Sequence, residues 1–164
     1  MHDIALVALH CGLRAGEIFN LKGQNLDFDN QLIHIADPKN GHPRKAYMTE
    51  EVKTVLLNRH PPSPGECVFK ARDGGPIKVV SRTFYRVAGN LGLHNGIIDP
   101  RYKVVFHTLR HTFAGWLALN RETIQTIAEL LGHRTLAMTQ RYSHLTGDRK
   151  KRAVLAMEKL FNNN

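Results

Sequence analysis

Two arginines, two histidines, one lysine and one tyrosine carry the chemistry that this sequence could perform. They are Arg14 in Gly-Leu-Arg-Ala-Gly-Glu, Lys39 before Asn-Gly, His107 and Arg110 in His-Thr-Leu-Arg-His, His133 in Leu-Leu-Gly-His, and Tyr142 in Gln-Arg-Tyr-Ser-His. Together they describe a site for breaking and rejoining a phosphodiester without metal. A phenol has a pKa of about 10, so only about a thousandth is ionised at neutral pH, and attack needs a base to take its proton. When such an oxygen attacks a phosphate, extra negative charge develops on the two non-bridging oxygens. A guanidinium answers that charge well, because it stays protonated, is planar and can donate two parallel hydrogen bonds. Preorganised donors of this kind are worth about 3 kcal/mol each in the transition state. An imidazole changes charge near neutral pH, which suits His107 to accept and return the proton. His107 and Arg110 are three residues apart, so a helix would carry both on one face.

In this order and with these neighbours the motifs resemble those of the tyrosine recombinase (phage integrase) family, over roughly residues 4 to 161. The resemblance implies that Arg14 and Arg110 hold the phosphate, that His133 is the second histidine of the site, and that Tyr142, nine positions further on, is the nucleophile. It assigns Lys39 to protonating the departing 5′ oxygen, with Lys45 as the alternative. The product of attack would be a 3′-phosphotyrosyl link, which a new 5′-hydroxyl later displaces, so neither ATP, cofactor nor metal is required. The implied function is that of a site-specific DNA recombinase or integrase. The implied partners are double-stranded DNA and, in the full-length protein, a homotetramer on synapsed duplexes. Residues 1–164 would then be the catalytic domain, without the DNA-clamping domain that precedes it in the family, and monomeric on its own.

Other readings compete for each residue. Arg14 could be a surface helix arginine paired with Glu17, and Glu17 either orients Arg14 or packs its helix. His133 could serve terminal carbonyls at a helix end. His111 is expected in the core, and His144 fits helix packing as well as any site role. Tyr47, Tyr85 and Tyr102 read as packing or surface residues. For the whole chain the alternatives are type IB topoisomerase-like strand transfer, a DNA-binding module that does not react, and a metal-dependent nuclease using the histidines.

Composition narrows the field. Lys and Arg number 23 against 14 Asp and Glu, a formal net charge of +9 with a pI near 9.9, which favours a polyanionic partner such as nucleic acid. Cys11 and Cys67 are far apart and outside any CxxC pair, as expected of thiols in a reducing compartment. Asp27, Asp29 and Asp37 are explained by turns rather than by a cation cage. Gly74-Gly75 lacks the lysine and Ser/Thr spacing of a phosphate loop. With no apolar stretch long enough to span a bilayer and no signal peptide, a prokaryotic cytosolic protein without membrane contact is expected.

The elements that must position these residues follow from periodicity and punctuation. A first helix from about Ile4 is ended by Gly12, and a second spans Arg14 to Leu21. Asn25 to Phe28, Leu32 to Ile35 and Lys45 to Met48 form a small antiparallel sheet, and Thr49 starts a helix that stops before the Pro61-Pro62 run. Helices follow over Ser81 to Leu91, His107 to Leu119, Thr123 to Leu131, Leu136 to Arg141 and Arg149 to Leu160, with a loop over Gly92 to Lys103. The face Phe113, Trp116 and Leu117 is expected to be apolar and inward. The last helix, with Ala153, Met157, Leu160 and Phe161 on one face, docks either on its own core or on a neighbouring subunit. The fold class is α+β: a mainly helical domain with a small sheet in its N-terminal third, and by resemblance an integrase-like DNA breaking-rejoining fold.

Overall fold

A computed structural model describes residues 1–36, 43–59, 63–147 and 154–155. It divides into two compact units, Met1–Phe113 and Ala114–Asn164. Helix α1 (His2–Cys11) places Ile4, Val7, Ala8 and Cys11 in the core at helical spacing, and Gly12 ends it in the left-handed conformation at φ 63°. A Cβ at Gly12 would stand 2.5 Å from a ring carbon of Phe113, so both the backbone and the space demand glycine. Gly12→Ala is therefore expected to lower unfolding stability by about 2 kcal/mol, from positive-φ strain plus overpacking. Urea denaturation with an unchanged m-value would show it.

Helix α2 (Ala15–Phe19) is shorter than the expected span because Arg14 is extended, at φ −74° and ψ 151°, and acts as the N-cap. The chain then forms an antiparallel meander of β1 (Leu26–Asp27), β2 (Leu32–Ile35) and β3 (Arg44–Tyr47), in that order. Ile33 opposes Ala46, His34 opposes Lys45 and Ile35 opposes Arg44. Side chains alternate across a strand, so Ile33, Ile35, Ala46 and Arg44 share the inner face while His34, Lys45 and Tyr47 face outward. Helix α3 (Glu50–Leu57) is capped by the Thr49 hydroxyl, which accepts from the Val52 N–H, and it buries Val52 and Leu56 completely. These residues join Val7, Ile18, Ile33 and Phe69 in one core.

Helix α4 (Arg82–Asn90), capped by Ser81, packs Phe84 edge-on against Phe106 at 5.4 Å between ring centres. Within the expected loop over 92–103, Pro100–Tyr102 forms a 3₁₀ turn, with the Asp99 carboxylate accepting from the Arg101 N–H. Helix α5 (Phe106–Leu119) contributes residues to both units. Its buried stripe is Phe106, Arg110, Ala114 and Ala118, each one turn beyond the last, so a cation occupies a position that helical periodicity reserves for the core. Trp116, expected to face inward, is 50% exposed because it lies off that stripe.

In the second unit, α6 (Ile124–Leu131) is capped by Thr123 and ended by Gly132 at φ 62°. The expected helix over Leu136–Arg141 is instead two 3₁₀ segments, Leu136–Met138 and Gln140–Thr146. The i→i+3 bonds of Thr139 N–H to Leu136 and of Tyr142 N–H to Thr139 set the tighter winding. Of the expected C-terminal helix, only 154–155 are described, as helical; the rest lies outside the described residues. No helix among the described residues is long and apolar enough to cross a membrane.

Candidate active site

In the first unit the site is organised around one carboxylate. Glu17 Oε2 accepts the Arg14 backbone N–H at 2.7 Å and Arg44 Nη2 at 2.8 Å, and Oε1 accepts Arg14 Nη1 at 2.9 Å. Arg110 Nη1 stands 3.9 Å from Oε2 and donates to the Gly12 carbonyl at 2.6 Å. Local structure explains each approach. Arg14 is held because Glu17, three residues on in α2, accepts both its backbone N–H and its Nη1–H. Arg44 points inward because it lies on the core-facing side of β3, and Arg110 because it lies on the buried stripe of α5. Arg110 is only 3% exposed, and Glu17 and Arg44 are 13% and 12% exposed at their side chains. Among the described residues three guanidiniums gather at this carboxylate, Arg110 buried and Arg44 and Arg14 12% and 37% exposed at their side chains, and such a cluster of fixed cationic donors suits an anion.

The Arg14–Glu17 ion pair is present, with the Arg14 side chain 37% exposed, and the same carboxylate also serves Arg44 and approaches Arg110. His107 is exposed on the first turn of α5, and His111, one turn on, meets it edge-to-face at 4.6 Å between ring centres. His111 is therefore half-buried beside His107 rather than a core residue. Lys39 lies outside the described residues. Lys45 is exposed on the outer face of the sheet, opposite to the side from which Arg44 reaches Glu17.

In the second unit His133 follows the Gly132 helix end, its N–H bonded to the Ala128 carbonyl. Its ring Nδ1 lies 2.7 Å from the Thr139 hydroxyl, and the Thr139 carbonyl accepts the Tyr142 N–H at 3.0 Å. Fully buried Thr139 thus ties His133 to the segment that carries Tyr142. Sequence reasoning missed both Thr139 and Arg44. The only signal for Arg44 was its phase on β3, and for Thr139 its place between two singled-out residues. Tyr142 is 7% exposed, whereas Tyr47, Tyr85 and Tyr102 are 60%, 43% and 73% exposed, so the tyrosine in the motif is also the buried one.

Burial pushes the Cys11 thiol up to about 12, outweighing a backbone hydrogen bond from Thr49 and the charge of Arg44, so this cysteine stays an unreactive core group. Among the described residues no three His, Cys, Asp or Glu side chains cluster as metal ligands.

Comparison with known proteins gives one family. The Phage integrase family pattern matches residues 2–149. Tyrosine recombinase XerA of Pyrococcus furiosus is 32% identical over 155 residues, covering 92% of this chain and 52% of that protein. XerA of Saccharolobus solfataricus is 34% identical over 146 residues, covering 88% and 46%. The chain therefore spans about half the length of these curated relatives. Among solved structures, the Tn1549 transposon integrase in complex with circular intermediate DNA superposes with a TM-score of 0.75 at 25% identity, covering 97% of this chain and 59% of that one. A XerA recombinase crystal structure gives 0.67 at 30%, covering 96% and 57%. The helical architecture with its three-stranded meander is thus the fold of integrase and recombinase catalytic domains, and with a family pattern running through nearly all of its length the chain belongs to the phage integrase family.

Proposed function

We propose that this chain is the catalytic domain of a site-specific DNA recombinase, which cuts and rejoins duplex DNA through a 3′-phosphotyrosyl intermediate on Tyr142. The observation that carries the proposal is the convergence of Arg14 and Arg110 on the single carboxylate of Glu17. Two guanidiniums from opposite ends of the first unit's sequence are thereby held close enough to serve one phosphate. Arg14 and Arg110 stabilise the non-bridging oxygens, His107 moves the nucleophile's proton, His133 donates to the phosphate, and Lys39 protonates the leaving 5′ oxygen. No step calls for a metal or a cofactor. The net charge of +9 and the DNA-bound structures of the Tn1549 integrase support duplex DNA as the partner. In the full-length protein, working in a prokaryotic cytosol, the assembly is a homotetramer on two synapsed duplexes.

The test is a pool of nicked duplexes with randomised crossover sequence, incubated with the protein in EDTA. The expected result is an SDS-stable adduct on the 3′ side of the break, which peptide mass spectrometry assigns to Tyr142. No adduct, an adduct on another residue, or one formed only when divalent metal is restored would overturn the proposal.

A further inference from the structure

We propose that Arg44 is a positioning residue that keeps Glu17 from capturing Arg110. The proposal rests on the recombinase reading above, because it concerns the same phosphate site. A carboxylate oxygen has two lone pairs. On Glu17 Oε2 one is taken by the Arg14 backbone N–H at 2.7 Å and the other by Arg44 Nη2 at 2.8 Å. Among the described residues Arg110 Nη1 is the next cation, 3.9 Å from the same oxygen, and it donates to the Gly12 carbonyl at 2.6 Å. Glu17 and Arg44 are each about one-eighth exposed, so water competes weakly for the place that Arg44 fills.

Without Arg44 an acceptor site on Oε2 would open beside Arg110, and the guanidinium would turn about a few bonds toward Glu17 and away from the phosphate. Arg44 thus acts by occupation: it satisfies Glu17 so that Arg110 keeps the orientation set by Gly12. Its place at the first residue of β3, on the inner face, delivers the side chain to this point.

The test measures single-turnover adduct formation on a nicked duplex chosen with the wild-type protein. At saturating DNA, Arg44→Met is expected to be slower by roughly 10- to 100-fold, the scale of a misplaced catalytic group. The duplex concentration for half-saturation should change by less than about threefold, since the loss falls on the transition state. Arg44→Lys, which can still donate one hydrogen bond to Oε2, should recover most of the rate. In a Glu17→Gln background, where no carboxylate attracts Arg110, adding Arg44→Met should cost less than about threefold, a coupling that independent sites would lack. A crystal structure of Arg44→Met should show the Arg110–Glu17 separation contracted from 3.9 Å to hydrogen-bonding distance.

The proposal is overturned if Arg44→Met matches the wild type, if its penalty is unchanged in the Glu17→Gln background, if the loss lies wholly in half-saturation, or if Arg110 stays where it is in the crystal. A wild-type protein that forms no adduct would instead overturn the recombinase reading, and the crystallographic separation would still decide the role of Arg44.

Discussion

Tyr142→Phe is expected to form no covalent adduct with nicked duplex DNA, a loss of more than about 10⁴-fold, as follows when an enzyme loses its nucleophile. The substitution removes one oxygen and nothing else. Tyr142 is 7% exposed and its N–H is bonded to the Thr139 carbonyl, so a phenyl ring fills the same volume and the 3₁₀ segment keeps its backbone bonds. The stability change should be about 1 kcal/mol, the net worth of one side-chain hydrogen bond. Duplex binding should persist with the same steep salt dependence, because phosphate contacts come from cations that the substitution leaves in place. Measuring adduct, urea stability and duplex affinity on one preparation separates chemistry from folding. Adduct formation at the wild-type level would end the assignment of Tyr142, and a collapse of stability would mean that the hydroxyl is a structural group.

Much of this architecture was legible because local signals and tertiary needs agree. Gly12 and Gly132 end helices where a left-handed residue is required, and Thr49, Ser81 and Thr123 cap helices with their hydroxyls. Around Arg14 the agreement fails: helix periodicity runs through it, but the Glu17 carboxylate accepts its backbone N–H and holds it extended. The span over Leu136–Thr146 also wound more tightly than its pattern suggests, since Thr139 is committed through its hydroxyl to His133 and through its carbonyl to Tyr142. No local pattern encodes such a commitment.

The site divides along the same line. Residue types and order pointed to Arg14, His107, Arg110, His133 and Tyr142, because those types suit a phosphate in transit. The supports were not readable, since Arg44 and Thr139 act through contacts between residues distant in sequence or fully enclosed. Arg44 meets Glu17 across 27 positions, and Arg110 meets Gly12 across 98. A list of candidate catalytic residues drawn from motifs therefore omits the groups that would position them.

That distinction sets the size of the effect expected at Arg110. Arg110→Lys should lower single-turnover cleavage by about 10²- to 10³-fold, the scale for removing one preorganised donor from an anionic transition state. Charge is conserved, so the difference lies in geometry. Arg110 has one Nη1–H bond to the Gly12 carbonyl at 2.6 Å, and the rigid guanidinium plane fixes the direction of its remaining N–H groups. A lysine has a single nitrogen on a flexible stem, which can stay with Gly12 or reach a phosphate, but cannot reproduce a rigid planar fork. At 3% exposure the ammonium, more strongly hydrated than a guanidinium, also fits the site less well, and a stability loss of about 1–2 kcal/mol is expected. Duplex binding should weaken by less than about tenfold, since many cations share that task. A lysine variant cleaving at the wild-type rate would show that charge alone suffices there, and that the Gly12 contact does not orient the reacting group.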